Sequence, residues 1–346
     1  MSGEIIYQVR IKPMEPLLLR GPGEFDPSAR GVSSSAISQT WPSPSTITGL
    51  LTSLLLQQLQ PPVQSWSDYV KRMHGALDQV DIKWVRGPYF VRGSTHYVPL
   101  RIGGELYIVN LNQLREYFKE NLEGIKDSNQ ESFDNLKERL LQSEGGFAKS
   151  RVIERIGIAL TTREGVKTVS EGYLYTATYV ALDCDWIGVE VGATPSILRL
   201  ENVATALGGE QRIARLEVAE PAENAMPLAS MRFTGGYALL LSPLVVAQPM
   251  RIVRSGEGVQ AEMNKTPIFK LVLGAAGLVG LGFSIAERSR KPVYPAVLEG
   301  SIIKFSKCCS YTEDLGAYAC IPNPPPLLGL LGRIGYGSLV TLMTEE

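Results

Sequence analysis

The chain is poor in histidine and cysteine and has almost no excess of either charge: 2 His, 4 Cys, and 34 Lys+Arg against 35 Asp+Glu in 346 residues. Each scarcity excludes something. His74 and His96 stand beside no evident nucleophile or second ligand. They are therefore expected to be satisfied or exposed side chains, not general bases. Cys184, Cys308, Cys309 and Cys320 form no C-x-x-C pair, and the adjacent Cys308 and Cys309 are poor partners for one metal or one disulfide, so reduced thiols are expected. A formal net charge of -1 provides no long-range field for a polyanion. Any such site must be a local patch.

Long apolar runs are also missing. The longest, Leu271 to Phe283, carries four glycines and falls short of the roughly 20 residues of a membrane helix, so it is expected in the core. Met1 to Pro13 has no basic run followed by an apolar block, and a cytoplasmic location is expected. There is no G-x-x-x-x-G-K-[ST], H-E-x-x-H, G-x-S-x-G or complete G-x-G-x-x-G. Ser301-Ile-Ile-Lys304 has the S-x-x-K spacing, but on a strand its ends point oppositely. Asp183 and Asp185 suit a turn better than a metal pair.

What is present is an ordinary globular composition, 44% hydrophobic and 20% charged, long enough for about two domains. Glu4 to Ile11 alternates as a strand. Arg20 to Ser45 is a long Gly/Pro/Ser-rich loop of the kind that carries function. A helix follows, capped by Ser45 or Thr46, with Ile47, Leu50, Leu51, Leu54 and Leu55 on one stripe. Gly49 in its first turn suggests close approach of a backbone or ligand, with core packing the blander alternative. Residues 61–150 look like an insertion: a strand-like piece at Tyr89 to Val98, then a polar, mixed-sign helical stretch from Leu111 to Gln142 that suggests a solvated face. Arg151 to Leu160 is strand-like, and Tyr173 to Leu182 with Ile187 to Val191 suggests a hairpin. A helical pattern from Ser196 to Leu207 and a strand from Arg212 to Val218 complete the order.

Without the insertion this is βαββαβ, the ferredoxin-like order, with one sheet face left free for a partner. The expected class is α+β: a ferredoxin-like domain over 1–222 and a second, degenerate copy over 223–346, with strands at Tyr237 to Val246, Ser301 to Phe305 and Gly335 to Met343.

Glycine beside cations and aromatics is the chemistry that stands out. Gly332-Arg333-Ile-Gly335-Tyr336-Gly337 could let backbone N–H groups and Arg333 approach phosphates while Tyr336 stacks on a base. A tight turn before the last strand explains the same residues. Gly208-Gly209-Glu-Gln-Arg212 and the Glu287 to Lys291 run, with Arg290 and Lys291, are two further basic loops that could join a polyanion groove.

Several segments together resemble one family. Glu15 to Arg20, Trp41-Pro-Ser-Pro-Ser-Thr-Ile-Thr-Gly-Leu50, Ile156 to Leu160, Glu171 to Ala177, Leu207 to Arg212, Pro295 to Ser301 and Gly335-Tyr336-Gly337 are similar to the ordered motifs of the third-subunit family of the Cmr (type III-B) CRISPR effector, within the RAMP superfamily. The resemblance implies two ferredoxin-like domains and a non-catalytic subunit, with neither metal nor cofactor. It also implies a place beside the large polymerase-like subunit and a neighbouring backbone RAMP subunit, helping to hold the 5′ repeat-derived tag of the CRISPR RNA, with no membrane partner. The residues expected to meet that RNA are Arg20, Ser45, Thr46, Tyr173, Tyr175, Gly208, Gly209, Arg212, Arg290, Lys291, Gly332, Arg333, Gly335, Tyr336 and Gly337. A RAMP-type endoribonuclease that processes CRISPR RNA precursors and a purely structural adaptor are the alternatives.

Overall fold

The computed structural model describes the chain except for residues 1–4, 20–34, 57–65, 127–129, 144, 149, 164–165, 220–233, 256–257, 285–288, 311–315 and 344–346. Its N-terminal part runs β1 (Ile5–Pro13), β2 (Ser35–Ala36), α1 (Pro44–Leu55), α2 (Trp66–Gln79), β3 (Ile82–Arg92), β4 (Thr95–Ile102), β5 (Glu105–Asn110), α3 (Leu111–Glu120), α4 (Leu122–Lys126), α5 (Gln130–Gln142), β6 (Arg151–Arg163), β7 (Val166–Ala181), β8 (Trp186–Ala193), β9 (Ala204–Ala206) and β10 (Ile213–Ala219).

Seven of these strands form one sheet in the order β5-β4-β3-β8-β1-β10-β9. Its middle, β10-β1-β8-β3, is wholly antiparallel and places fourth, first, third and second strands of a βαββαβ path side by side. The four central strands stand in the spatial order that path implies, but its members differ from those expected. The second strand is β3, from inside the segment expected to be an insertion; 61–150 supplies three of the seven strands. The expected hairpin between Tyr173–Leu182 and Ile187–Val191 does not form. Instead β7 pairs with β6, and β2 joins β7 in a separate three-stranded sheet. β3 escapes an alternation search because both of its faces are covered: Trp84, Val85, Arg86, Tyr89 and Phe90 are all at most 2% exposed. The helix expected after Ser196 is a 3₁₀ turn, Pro195–Leu200, followed by β9.

The C-terminal part comprises β11 (Thr234–Leu240), β12 (Leu244–Val245), β13 (Met250–Ser255), β14 (Gly258–Met263), β15 (Thr266–Leu273), β16 (Ala276–Gly280), β17 (Phe283–Ser284), β18 (Ser289–Arg290), β19 (Val293–Val297), β20 (Ile302–Ser310), α6 (Pro326–Arg333) and β21 (Leu339–Met343). Its main sheet, β13-β14-β15-β20-β11-β21, repeats the same relation: β21-β11-β20-β15 is antiparallel in the order fourth, first, third, second. Between β11 and β15 the described residues form strands, whereas α6 lies in the later connection. The expected boundary at 222/223 lies outside the described residues. The apolar run Leu271 to Phe283 spans the end of β15 and β16, where Leu278 is 70% exposed, so it is only partly core. Among the described residues no helix is long and apolar enough to cross a membrane.

Two cores hold this together. In the first, Ile47, Leu50 and Leu51 of α1 pack with Tyr7, Val9 and Ile11 of β1 and with Leu240, Leu331 and Tyr336 from the C-terminal part. In the second, Leu114, Phe118, Leu136 and Leu140 of α3 and α5 pack with Tyr237, Leu239, Val340 and Leu342. The stretch expected to be a solvated face is amphipathic, and its apolar stripe covers a face of the C-terminal sheet. The Phe118 and Tyr237 rings lie 6.4 Å apart, and Arg115 Nε donates to the Thr341 carbonyl at 3.1 Å. Burying each such large apolar side chain is worth about 1.5–3 kcal/mol, so packing, not intrinsic propensity, holds these short helices.

Candidate nucleic-acid interface

The expected site residues fall into two groups. In the first, the chain leaving β1, β2, β7 and the Gly208–Arg212 loop converge. Leu17 and Val180 exchange N–H···O bonds of 2.8 Å, and Ser35 and Ala36 lie beside Thr176 and Ala177 in parallel register. The Ser38 N–H donates to Thr178 Oγ1 at 2.7 Å, and the Gln39 N–H to the Leu19 carbonyl at 2.7 Å. The Gly209 N–H donates to the Leu18 carbonyl at 2.8 Å. Gly208 beside it sits at φ 79°, ψ −157°, and a Cβ there would lie 2.5 Å from the Leu18 oxygen. That backbone is open essentially to glycine alone. Both ends of the 20–34 segment are thus tied to this cluster. Arg20 itself lies outside the described residues. Tyr173 and Tyr175 lie on β7, Tyr175 opposite Gly157, and their side chains are outside the described set.

Arg212 is not the free phosphate contact the sequence suggested. Its guanidinium lies 2.8 Å from Glu15, 3.4 Å from Glu210 and 4.2 Å from the centre of the Tyr179 ring, and its side chain is 15% exposed. The Tyr179 hydroxyl donates to Glu210, and Glu15 also accepts the Ile213 N–H at 2.8 Å. Arg212 therefore ties the loop to β1 and β7. The Ile213 N–H, and after it Arg212, hold the Glu15 carboxyl below its ordinary pKa. A depressed carboxylate stabilises the fold above its unfolded pKa, ~4.3, and that contribution disappears as pH falls through the native value. Glu15→Gln is accordingly expected to flatten the acid side of a melting-temperature profile measured between about pH 3 and pH 7. An unchanged acid limb would show that the clamp does not depend on Glu15 ionisation.

The second group is largely internal: its glycines and Tyr336 are buried, and Ser45, Thr46 and Arg333 are half-buried. The cap of α1 is Ser43, not Ser45 or Thr46; its hydroxyl accepts the Thr46 N–H at 3.3 Å, with Pro44 at the first helical position. Thr46 donates to that cap, and Ser45 Oγ lies 3.5 Å from the Tyr336 hydroxyl. Tyr336 is 1% exposed and belongs to the first core, so it presents no ring to a base. The Gly332 carbonyl accepts from Arg86, the Gly335 carbonyl accepts from Ser242 and Ser338, and the Gly337 N–H donates to Pro243. Arg333 donates to the carbonyls of Ile82 and Lys83, to Asp78 at 2.8 Å and to His74 Nδ1 at 3.1 Å. Gly335 and Gly337 let other parts of the protein approach closely, the Val85 carbonyl at the first and the Leu244 and Tyr318 side chains at the second. His74 Nε2, facing the Pro326 carbonyl at 2.9 Å, then carries the ring proton, so the ring is a satisfied side chain.

Three further expectations have definite outcomes. Gly49 is exposed with nothing within 4 Å of its Cβ position, so no backbone approaches it. Arg290 lies on β18, which pairs only with β17 in a two-stranded ribbon, and the Lys291 N–H donates to the Gly282 carbonyl. Neither is on an element that joins the first group. Asp183 pairs with Arg92 at 2.7 Å, and Asp185 accepts the Gly93 N–H at 2.7 Å, both turn-stabilising roles. Sequence reasoning missed the cations of β6: Arg151 and Arg155 are exposed beside Val152 and Ile156, 55% and 78% exposed, and Arg155 lies 5.4 Å from the Tyr179 ring. The strand was legible; its standing as an edge was not.

Comparison with known proteins gives a consistent answer. Residues 9–123 match the family described as CRISPR-associated protein (Cas_Cmr3). The CRISPR system CMR subunit Cmr3 of Saccharolobus solfataricus is 28% identical over 304 residues, 87% of each chain. A chain from a cryo-EM structure of the type III-B Cmr-beta bound to cognate target RNA shares the fold with a TM-score of 0.68 at 24% identity, covering 97% of this chain and 96% of that one. A second such structure, with target RNA and AMPPnP, gives 0.66 over the same coverage. The family match over residues 9–123, a relative alignable along most of its length and the shared fold together make the chain similar to the Cmr3 CRISPR-associated proteins.

Proposed function

We propose that the chain is a non-catalytic RNA-binding and assembly subunit of a type III-B CRISPR effector. In this reading it is built as two ferredoxin-like units joined near 222/223. It helps hold the 5′ repeat-derived tag of the CRISPR RNA beside the large polymerase-like subunit and a neighbouring backbone subunit. The observation that carries this is the convergence of the 17–19 and 35–39 segments, β7 and the Gly208–Arg212 loop into one surface, with the exposed Arg151 and Arg155 on the strand beside it. The exposed guanidinium groups of Arg151 and Arg155, beside loops braced by a sheet, suit a phosphate-rich ligand. The non-catalytic part rests on the histidines. His74 is committed to Arg333 and Pro326, while His96 stands against the Tyr89 ring, 5.5 Å between centres.

Reconstitution with the large subunit and a CRISPR RNA carrying a photoreactive 5′ tag tests this. Crosslinked peptides are expected from 17–39, 171–181 and 208–212. Strong crosslinks on neighbouring chains and none here would leave a structural adaptor. Cleavage of repeat RNA by the purified chain, lost in His74→Ala or His96→Ala, would establish the endoribonuclease.

A further inference from the structure

One face of the seven-stranded sheet is open at the end where β9, β10, the end of β1 and the start of β8 run side by side. The alternation in β10 turns Ile213, Arg215 and Glu217 outward, with Ile213 51% and the Arg215 side chain 50% exposed. On β1 the outward residues are Arg10, half-buried, and Lys12, exposed; on β8 it is Trp186, half-buried. Register aligns them: Lys12 is paired with Arg215 and Arg10 with Glu217, while Lys12 Nζ sits 5.2 Å over the Trp186 ring. On β9, Ala204 and Ala206 pair with Arg215 and Ile213 and leave the surface low. Arg215, Lys12 and Trp186 thus form a row across three adjacent strands, about 10 Å long at ~4.8 Å per strand. The acidic group open to this patch is Glu217, 3.9 Å from Arg215; Glu190, farther along β8, is 3% exposed. The nearby Asp183 and Asp185 are engaged by Arg92 and Gly93.

We infer that this open sheet face is a second nucleic-acid surface, taking single-stranded RNA with one base stacked on Trp186 and the flanking phosphates on Lys12, Arg10 and Arg215. Three cations against one open carboxylate favour a polyanion over an acidic-and-basic protein surface. An antiparallel sheet carrying a half-exposed indole beside small neighbours is an arrangement on which an unpaired base can stack. Lys12 now covers the ring; a base would displace it toward the adjoining phosphate, where its charge is worth more. The surface rests on the RNA-binding reading above, but it lies on elements other than the loop cluster proposed to hold the tag.

The test is made on the full chain with a 10-nucleotide single-stranded RNA containing 4-thiouridine, by fluorescence anisotropy and by mapping of photocrosslinked peptides. Wild type is expected to crosslink within 10–12, at 186 and within 213–217. Trp186→Ala is expected to remove those crosslinks and weaken binding about ten-fold, while Trp186→Phe, which keeps a stacking ring, retains most of it. Arg215→Glu with Lys12→Glu should flatten the salt dependence. Crosslinks confined to 17–39, 171–181 and 208–212, with Trp186→Ala binding unchanged, would overturn the sheet-face site and leave the tag-holding role standing. Crosslinks at neither place would overturn both. Protection of this face by a partner subunit instead of RNA in the assembled complex would also overturn it.

Discussion

Arg86→Ala is expected to cost about 3–5 kcal/mol of folding free energy, a large fraction of what a domain of this kind holds in reserve. Arg86 is 0% exposed in the middle of β3, and its NH1 donates to the Val85 and Gly332 carbonyls, each at 2.6 Å. Its guanidinium lies 5.8 Å from the Trp84 ring. Glu190, 3% exposed, is directly opposite in register, and Gln8, 2% exposed, is next across the sheet. Truncation would leave the buried Val85 and Gly332 carbonyls without their donor and open a cavity in the middle of the sheet. Arg86→Lys keeps the charge but not the rigid planar group that places NH1 between the two carbonyls, so a loss is expected there too. Urea unfolding followed by far-UV circular dichroism decides the matter, and an Arg86→Ala midpoint close to wild type would sink this account.

Gly208→Ala is expected to be the most damaging small change at the candidate interface. The strained backbone alone costs about 1–3 kcal/mol in any other residue. The added Cβ also meets the Leu18 carbonyl oxygen at 2.5 Å, and that oxygen, being backbone, has little room to give. Relief requires the loop to lift from the 17–19 segment, which releases the Gly209–Leu18 hydrogen bond and draws Arg212 from Glu15. The outcome expected is a lowered melting temperature together with at least a ten-fold loss of crosslinking to the tag. Gly49→Ala, placed in open space on α1, is the contrasting control and should be neutral or stabilising by up to about 1 kcal/mol. Wild-type crosslinking by Gly208→Ala would separate the loop from RNA binding.

The contrast between these two glycines shows what the sequence could convey. β1 and α1 were legible because each has one dry face, and hydrophobic period reports a one-sided environment directly. β3 is dry on both sides and carries an arginine there, so period and polarity both misled. The Arg92–Thr95 and Ile102–Glu105 turns that divide β3, β4 and β5 were marked by Gly93 and by Gly103-Gly104, all at positive φ, yet the strand-like Tyr89 to Val98 ran through the first of them. At the site, the glycine loops announced close backbone approach but not to what. Gly208 admits Leu18, and Gly335 and Gly337 admit Val85 and Leu244, so the same composition served packing in one group and bracing of the candidate interface in the other. Arg212, Arg333 and Tyr336 looked alike as candidates because charge and aromaticity are visible in a sequence while their partners, distant along the chain, are not.

The helices α3 and α5, made early, cover β11, β20 and β21, made late. Until β11, β20 and β21 emerge, Leu114, Phe118, Leu136 and Leu140 have only the local cover of β4 and β5, and the growing chain leaves part of an adhesive stripe open for much of its synthesis. Closing that gap joins positions more than 200 residues apart, as in the bond from Arg115 to Thr341, a slow kind of closure. Expression of either half by itself should therefore yield aggregates, and a chaperone that shields the stripe should raise the yield of the whole chain.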